Sequence, residues 1–600
     1  MSPRQPYLLR ELAETLHHEL ELQAVPSSLH LRGFPEPRPS LVYVLLDPKS
    51  YVTNEAEQAL PDDAILRRTI FVCAEAPPST DEDRHVALLR RAGAVFVLDQ
   101  RSVVAMHRLG ITARVLRPGY SKSLDRFDPT APRPIDVTFL GIHSLRRTKF
   151  LGRAARVLSR HNCVLEISEE SPKAEDTSSP LAQARWPLLA ETKVLISLHR
   201  DDQARFDWGG AVDAIHAGAV VVTEPSSGTS PLVPGEHLMA TSADSLPYLV
   251  EELLRNEQRL ARLRSAAYER LKTWVPYALS VAILRAVVVD LVGEPVPSGA
   301  GLGKLRPEPA AVHGPVPLAA QDDGPNIEPS SPEPGLIEVA HESPAWASRR
   351  APRVTAVIPL HAGDGEIVAT LDSLAHSTLR DVELVVVVAS GGEPDFETAK
   401  RWMCEQSRIS SRLVLADVSG VGAARNIGLD CARGSFLLIL APGQELYPRC
   451  LDVLAGILEA TPEAAFGYPI QEVIGASDDF VQHSGDYLLS FVGWHPERLR
   501  LGNVIHAPAL IRTNRLRELG GFSTDPRLDG FEDYDLWCRV ADRGWRGQLA
   551  PQVLARRTES GSSRTLSAIH PSYGDATNAL TERAPTLMAG AFGAPARRRS

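Results

Sequence analysis

A stretch of about sixty residues, Gly293 to about Arg350, limits what this chain can fold into more than any other feature. It reads PEPAAVHGPVPLAAQDDGPNIEPSSPEPG through its middle, rich in Pro and Gly and almost free of aromatics. Such a segment cannot bury enough apolar surface to offset its ordering entropy, and its prolines make it a semi-extended spacer. It divides 600 residues into halves of about 290 and 250, each large enough for an α/β core of its own.

Both halves alternate short β-branched runs with helical patterns. In the first, strands are expected at Leu41–Leu46, Thr69–Cys73, Ala94–Leu98, Val115–Leu116, Asp136–Leu140, Cys163–Ile167, Val194–Ser197 and Ala219–Thr223. In the second they fall at Thr355–Ile358, Glu383–Val388, Ser411–Leu415 and Phe436–Leu440. Strands that alternate with helices form parallel sheets covered on their faces. The fold class is therefore α/β, with two sheets in the first half dividing near Pro118–Pro134 and one Rossmann-like unit in the second.

Composition excludes more than it assigns. A net charge of −10 over this length speaks against a dedicated nucleic-acid binder. The six cysteines are scattered without a C-x-x-C pair, which fits neither a zinc site nor a disulfide framework and points to a reducing cytoplasm. The N-terminus is charged throughout and is not read as a signal peptide. The apolar run Ala278–Val292 is interrupted by Arg285 and Asp290 and is too short to span a bilayer. The tail Arg597-Arg598-Arg599 leaves room for weak peripheral membrane association. No G-x-G-x-x-G opens a helix after a strand, which argues against a dinucleotide-dependent oxidoreductase.

The chemistry-bearing stretch lies near the end of the second half. Gly520-Gly521-Phe522 precedes Glu532-Asp533-Tyr534-Asp535-Leu536-Trp537, and acidic residues enter the first turn of a helix, where its dipole favours them. Upstream stand Val354-Thr355-Ala356-Val357-Ile358-Pro359, then Gly422-Ala423-Ala424-Arg425-Asn426-Ile427-Gly428 and Ala432-Arg433-Gly434. In this order and spacing, residues 353–560 resemble a family 2 glycosyltransferase. The resemblance implies a GT-A fold, a nucleotide-sugar donor and inversion at the anomeric carbon. It places the base that deprotonates the acceptor hydroxyl at Asp533, with Glu532 beside it, and donor contacts at Pro359, Arg425 and Asn426. Arg425 at a helix start suits a leaving diphosphate. The family's D-x-D metal motif falls here on Ala441 and Gly443, which offer no side-chain oxygen to Mg or Mn. Glu445 is out of register, and the family's nucleotide-contacting Asp pair is Val388-Ala389. No cofactor is therefore assigned, and this half reads as metal-independent or as a binding domain.

The first half carries a second resemblance. Asp136–Gly141, Arg146-Arg147-Thr148-Lys149, the stretch Gly209–Glu224 and Pro234-Gly235-Glu236 are similar to the nucleotide-binding half of group 1-like GT-B glycosyltransferases, over residues 135–272. The resemblance implies a metal-free site in which Arg146, Arg147 and Lys149 meet a diphosphate. Asp213 stands where the family usually has Glu and would hold a ribose hydroxyl, and Glu224 faces the cleft. His30, His85 and His199 are candidate bases.

The expected layout is a Rossmann-like domain over 1–130, a nucleotide-binding domain over 131–292, a linker over 293–351, a GT-A domain over 352–565 and a flexible tail over 566–600. The expected function is transfer of a sugar from a nucleotide sugar to a glycan or lipid-linked acceptor in polysaccharide or glycoconjugate synthesis. The alternative is a catalytically degenerate scaffold that binds glycan or nucleotide.

Overall fold

The computed structural model describes residues 7–30, 38, 40–48, 62–73, 83–169, 185–201, 204–293, 337–348, 351–361, 367–390, 393–406, 409–475, 487–558 and 573–588. Three sheets organise them. The first pairs β1 (Tyr43–Leu46), β2 (Thr69–Cys73), β3 (Ala94–Val97) and β4 (Ala113–Val115) in sequence order, all parallel. The second contains β5 (Ile135–Ile142), β6 (Cys163–Ser168), β7 (Thr192–Ser197), β8 (Val220–Thr223) and β9 (Met239–Ala240). Its order is β6-β5-β7-β8-β9, again parallel throughout.

The third sheet is mixed. Its strands are β10 (Ile337–Glu342), β11 (Val354–Leu360), β12 (Val382–Val388), β13 (Ser410–Ala416), β14 (Phe436–Ile439), β15 (Gln444–Leu446), β16 (Ala464–Ile474), β17 (Tyr487–Leu489), β18 (Leu510–Arg512) and β19 (Arg546–Thr558). They run in the order β10-β13-β12-β11-β14-β18-β16-β19-β15, with β17 against β16. Strands β13, β12, β11 and β14 form its parallel centre. β12 reads VELVVVV and is buried along its whole length, as expected of a strand covered on both faces.

The structure corrects the expected layout at four places. The linker is shorter than its composition implies: residues 294–336 lie outside the described residues, but Ile337–Glu342 is strand β10 and pairs antiparallel with β13. Trp346 follows it and is 3% exposed, lying between the guanidinium groups of Arg412 and Arg433 at 4.6 and 3.9 Å. Arg433 also pairs with the fully buried Glu383 at 2.6 Å, and Thr355 Oγ1 donates to the same carboxylate. The Ala432-Arg433-Gly434 motif thus fastens this edge of the sheet. Within the expected tail, residues 573–588 are structured. Helix Tyr573–Arg583 and the turn Pro585–Met588 bury Ala576, Ala579, Leu580, Leu587 and Met588 in the core of the second half.

The other two corrections concern how units join. The helix Tyr277–Gly293 does not stay with the second sheet. Its Tyr277, Val281, Leu284, Val287 and Leu291 pack with Ile70, Val72 and Phe96 of the first sheet and with the N-terminal helix Tyr7–Leu22. The halves are also not separate bodies. Ile470, Leu488 and Val553 of the second half lie in one buried cluster with Val137, Phe139, Leu151 and Leu165 of the first. Arg449 Nη1 donates to His161 O at 2.6 Å across the same junction, Arg498 pairs with Glu169, and His143 stacks on Phe491 with 5.2 Å between ring centres.

Candidate functional site

In the second half the motifs gather at one end of the parallel strands. Helix Val421–Cys431 starts at Gly420, whose φ of +89° turns the chain into it. At Gly422 a Cβ would stand 1.9 Å from Ser523 O, so only glycine lets this helix start lie against the loop after Phe522. That approach carries Arg425 to helix Glu532–Asp542. Arg425 is 7% exposed. Its Nη1 donates to Asp533 Oδ1 at 2.8 Å, and its guanidinium lies over the Phe522 ring at 5.2 Å. Asp533 has its side chain 49% exposed. A solvent-facing carboxylate held at a fixed angle by a buried guanidinium is well placed to take a proton from a hydroxyl brought to it.

The neighbouring acids do different work. Glu532 is 6% exposed, and burial pushes its carboxyl above the ordinary value while the Arg425 charge pulls the other way. Asp535 is fully buried and accepts from Arg539 Nε at 2.8 Å and Arg583 Nε at 2.6 Å. Arg539 in turn donates to Gly521 O at 2.9 Å, so this pair fixes the Gly-Gly turn. Asn426 fixes it from the other side: its Nδ2 donates to Phe522 O at 3.0 Å, and its Oδ1 accepts from Phe522 N at 2.8 Å. The structure therefore spends Asn426 on positioning and aims Arg425 at the Asp533 carboxylate. Pro359 is buried in β11 beside Val387 of β12.

The turn Ala441–Gly443 offers no side-chain oxygen from Ala441 or Gly443, and its residues do not fit a divalent cation. Gln444 Oε1 accepts from Ala441 N at 3.0 Å, and Glu445 pairs with Arg556 at 2.7 Å. Among the described residues no cluster of three or more His, Cys, Asp or Glu side chains could share a metal ion.

Sequence reasoning missed two residues at this end of the sheet. His506 donates from Nε2 to Asn503 O at 3.0 Å, which makes its Nδ1 the acceptor nitrogen. Its loop is held by Ser490, whose Oγ accepts from His506 N and Ala507 N at 2.8 and 3.0 Å. Ser490 sits at φ +59°, a conformation that costs a non-glycine residue free energy. Burial holds the His506 imidazole below its usual value, Arg557 acts in the same sense and Asp533 against it. Arg557 stands opposite Gln444 in strand register. A lone His in an irregular loop and an Arg late in a strand carry no spacing signal, which is why neither stood out.

The first-half candidates also come together, but on one another. Ser144 caps helix Leu145–Leu158. Arg146 meets Glu224 in a two-point contact at 2.8 and 2.5 Å. Glu224 also accepts from His199 N at 2.9 Å. Burial would raise the Glu224 carboxyl, but the bonds from Arg146 and His199 outweigh it and hold it below the ordinary value. Arg147 donates to Leu198 O and Ile142 O and so ties the ends of β5 and β7. Lys149 lies half-buried one turn further on. Asp213 is buried apart from these, paired with Arg185 at 3.1 Å, and Arg185 also holds Glu11 of the N-terminal helix. Its carboxylate serves a junction between the first two sheets rather than an open cleft. Of the three histidines, His199 is in this cluster, bonded through Nε2 to Ser226 Oγ at 2.7 Å. His85 is buried in the first unit and His30 is exposed.

No protein-family model matches the chain. A curated protein of Haemophilus influenzae, described as an uncharacterized glycosyltransferase, is 25% identical over 188 residues. The match covers 31% of this chain and 60% of that protein, so the chain spans less than two thirds of its relative's length. Among solved structures, residues 1–349 of S. aureus TarS in complex with UDP-GlcNAc overlay with a TM-score of 0.32 and 14% identity, over 38% of this chain and 66% of that one. The mannosyltransferase PcManGT of Pyrobaculum calidifontis, in complex with GDP-Man and Mn2+, overlays with a TM-score of 0.27 and 21% identity, over 42% and 76%. These overlays are too loose to carry an argument. Similarity to a glycosyltransferase therefore rests on the curated relative, and the α/β class on the sheets themselves. Among the described residues no helix is long and apolar enough to cross a membrane.

Proposed function

We propose that the chain is a glycosyltransferase whose chemistry lies in the second half, a GT-A-like unit that moves a sugar from a nucleotide-sugar donor to a hydroxyl of a glycan or lipid-linked acceptor. The observation that carries this reading is the Asp533 carboxylate, open to solvent and aimed by the buried Arg425. The acceptor oxygen attacks the anomeric carbon while Asp533 takes its proton. The bond from that carbon to the donor phosphate breaks, and its electron pair leaves on the diphosphate. The match to a curated glycosyltransferase supports the class. Cysteines that are all free among the described residues suit a reducing compartment, and polysaccharide or glycoconjugate synthesis is the process such a transfer would serve.

A second reading, a domain that binds glycan or nucleotide without turnover, draws on the metal-poor turn Ala441–Gly443 and on Arg146 and Glu224 being taken up by each other. One experiment separates the two. The full chain is incubated with UDP- and GDP-sugars and an acceptor-oligosaccharide panel, and nucleotide release is followed. Asp533→Asn, which keeps the shape of the side chain, is expected to lower turnover by about 100-fold or more, with thermal unfolding unchanged. Turnover that survives this change removes Asp533 as the base. Binding of a sugar nucleotide with no release from the wild type supports the second reading.

A further inference from the structure

Helix Tyr277–Gly293 has a face that the fold does not use. Its Tyr277, Val281, Leu284, Val287 and Leu291 are buried against the first sheet and the N-terminal helix. A surface helix normally turns polar residues outward from such a stripe. Here the outward positions are Leu279, Ala282, Ala286, Val289 and Gly293, all exposed, with Leu279 at 63% and Val289 at 60%. The apolar run that is too short to span a bilayer therefore reaches solvent as an apolar seam. We propose that this seam is the contact between two copies of the chain, whose helices Tyr277–Gly293 lie parallel as a short two-stranded coiled coil. The inference is independent of the glycosyltransferase reading.

Spacing and charge choose the occupant. The outward residues Leu279, Ala282, Ala286, Val289 and Gly293 alternate steps of three and four, the a and d positions of a heptad pattern. In that pattern Arg285 falls at g and Asp290 at e. Both are exposed, and neither has a hydrogen bond or an ion pair among the described residues. At about 100° per residue they stand about 140° apart around the helix. They lie on opposite sides of the seam and cannot meet within one copy. In a parallel pair the g side of one helix lies beside the e side of the other. Arg285 then faces Asp290 of the second copy across about 7.5 Å of axial rise, within reach of an extended arginine, and the two-fold symmetry makes the contact twice. An antiparallel pair would set Arg285 beside Arg285 and Asp290 beside Asp290.

A bilayer is the rival occupant, and the charges speak against it. A helix that lies on a membrane carries basic residues along its polar flanks. This helix has one basic and one acidic residue, Arg285 and Asp290, and so no net charge to draw it to anionic lipid. Ala282 and Ala286 at the centre of the seam bury little area, so the expected dimer is weak and reversible.

The test is sedimentation velocity of the full chain from about 1 to 100 μM, the range in which a small interface dissociates. Wild type is expected to pass from one copy to two across that range. Ala286→Glu places a charge at the centre of the exposed seam and is expected to leave single copies throughout, with thermal unfolding unchanged. Arg285→Asp sets acid against acid and is expected to weaken association by about 5–30-fold. Combining Arg285→Asp with Asp290→Arg is expected to return it to the wild-type range. A wild type that stays single at every concentration overturns the proposal. Its cosedimentation with vesicles of phosphatidylcholine and phosphatidylglycerol would then give the face to a bilayer, and slow alkylation of Ala286→Cys, relative to the unfolded chain, would give it to another part of the chain. A dimer indifferent to Ala286→Glu, or a double exchange that does not restore association, overturns it as well.

Discussion

Asp213 shows how far a residue can move in meaning between a motif and its surroundings. Its position in the Gly209–Glu224 stretch was legible, but its partners were not, because they come from elements distant in sequence. Arg185 and Glu11 close a buried cluster of one guanidinium and two carboxylates. Burial, opposed by Arg185 and reinforced by Glu11, pushes the Asp213 carboxyl up to about 7. Between the ordinary carboxylate value and about 7 the folded chain keeps a proton that the unfolded chain has lost. Stability from this group therefore falls as pH rises through that window. Asp213→Asn is expected to flatten the dependence of the melting temperature on pH between about 4 and 7, measured by scanning calorimetry. An unchanged slope would mean that Asp213 is ionised throughout. The Glu532-Asp533 pair was easier to place, since two adjacent acids at a helix start lie within one turn of each other whatever the tertiary fold. Their division into a buried acid and an exposed one depends on Arg425 and could not be read from spacing.

Elements were legible where one period dominated. The buried strands β11, β12, β13 and β14 fall within two residues of their expected limits, because runs such as VELVVVV admit few other structures. The misses lie where composition outweighed pattern. β10 has its residues half or wholly exposed and follows a Pro-rich stretch, so it read as spacer. Helices Leu246–Leu254 and Glu257–Trp274 part at Asn256, which caps the second by accepting from Arg259 N at 2.9 Å. Short polar residues do this readily. Arg425 at the start of helix Val421–Cys431 suits a leaving diphosphate by sequence, whereas the structure gives the neighbouring Gly422 a packing reason against Ser523 O. Gly422→Ala is expected to lose about 1–3 kcal/mol in chemical denaturation, the scale of overpacking, and to lower sugar-nucleotide turnover through displacement of Arg425. A stable, fully active variant would show that the loop at Ser523 yields without moving the site.

At the scale of the whole molecule the two halves meet through a core rather than a spacer. The cluster containing Ile470, Leu488 and Val553 is as dry as any in either half, with those three side chains no more than 2% exposed. A charge placed there has no partner, and Val553→Asp is expected to cost about 3–5 kcal/mol. Urea unfolding of the full chain checks this, and loss of the shared core should also split the transition into two. A single transition at the wild-type midpoint would show that the halves are stable apart. None of this contact could be read from the sequence, since residues more than 300 apart in the chain meet in it and each half alone satisfies the α/β pattern.

The shared core also constrains how such a protein can change over evolutionary time. A tether between independent modules lets either be exchanged for another, whereas here a replacement second half would have to arrive with its own match for Val137, Phe139 and Leu165. A substitution on one side of the junction therefore has to keep its fit to the other side.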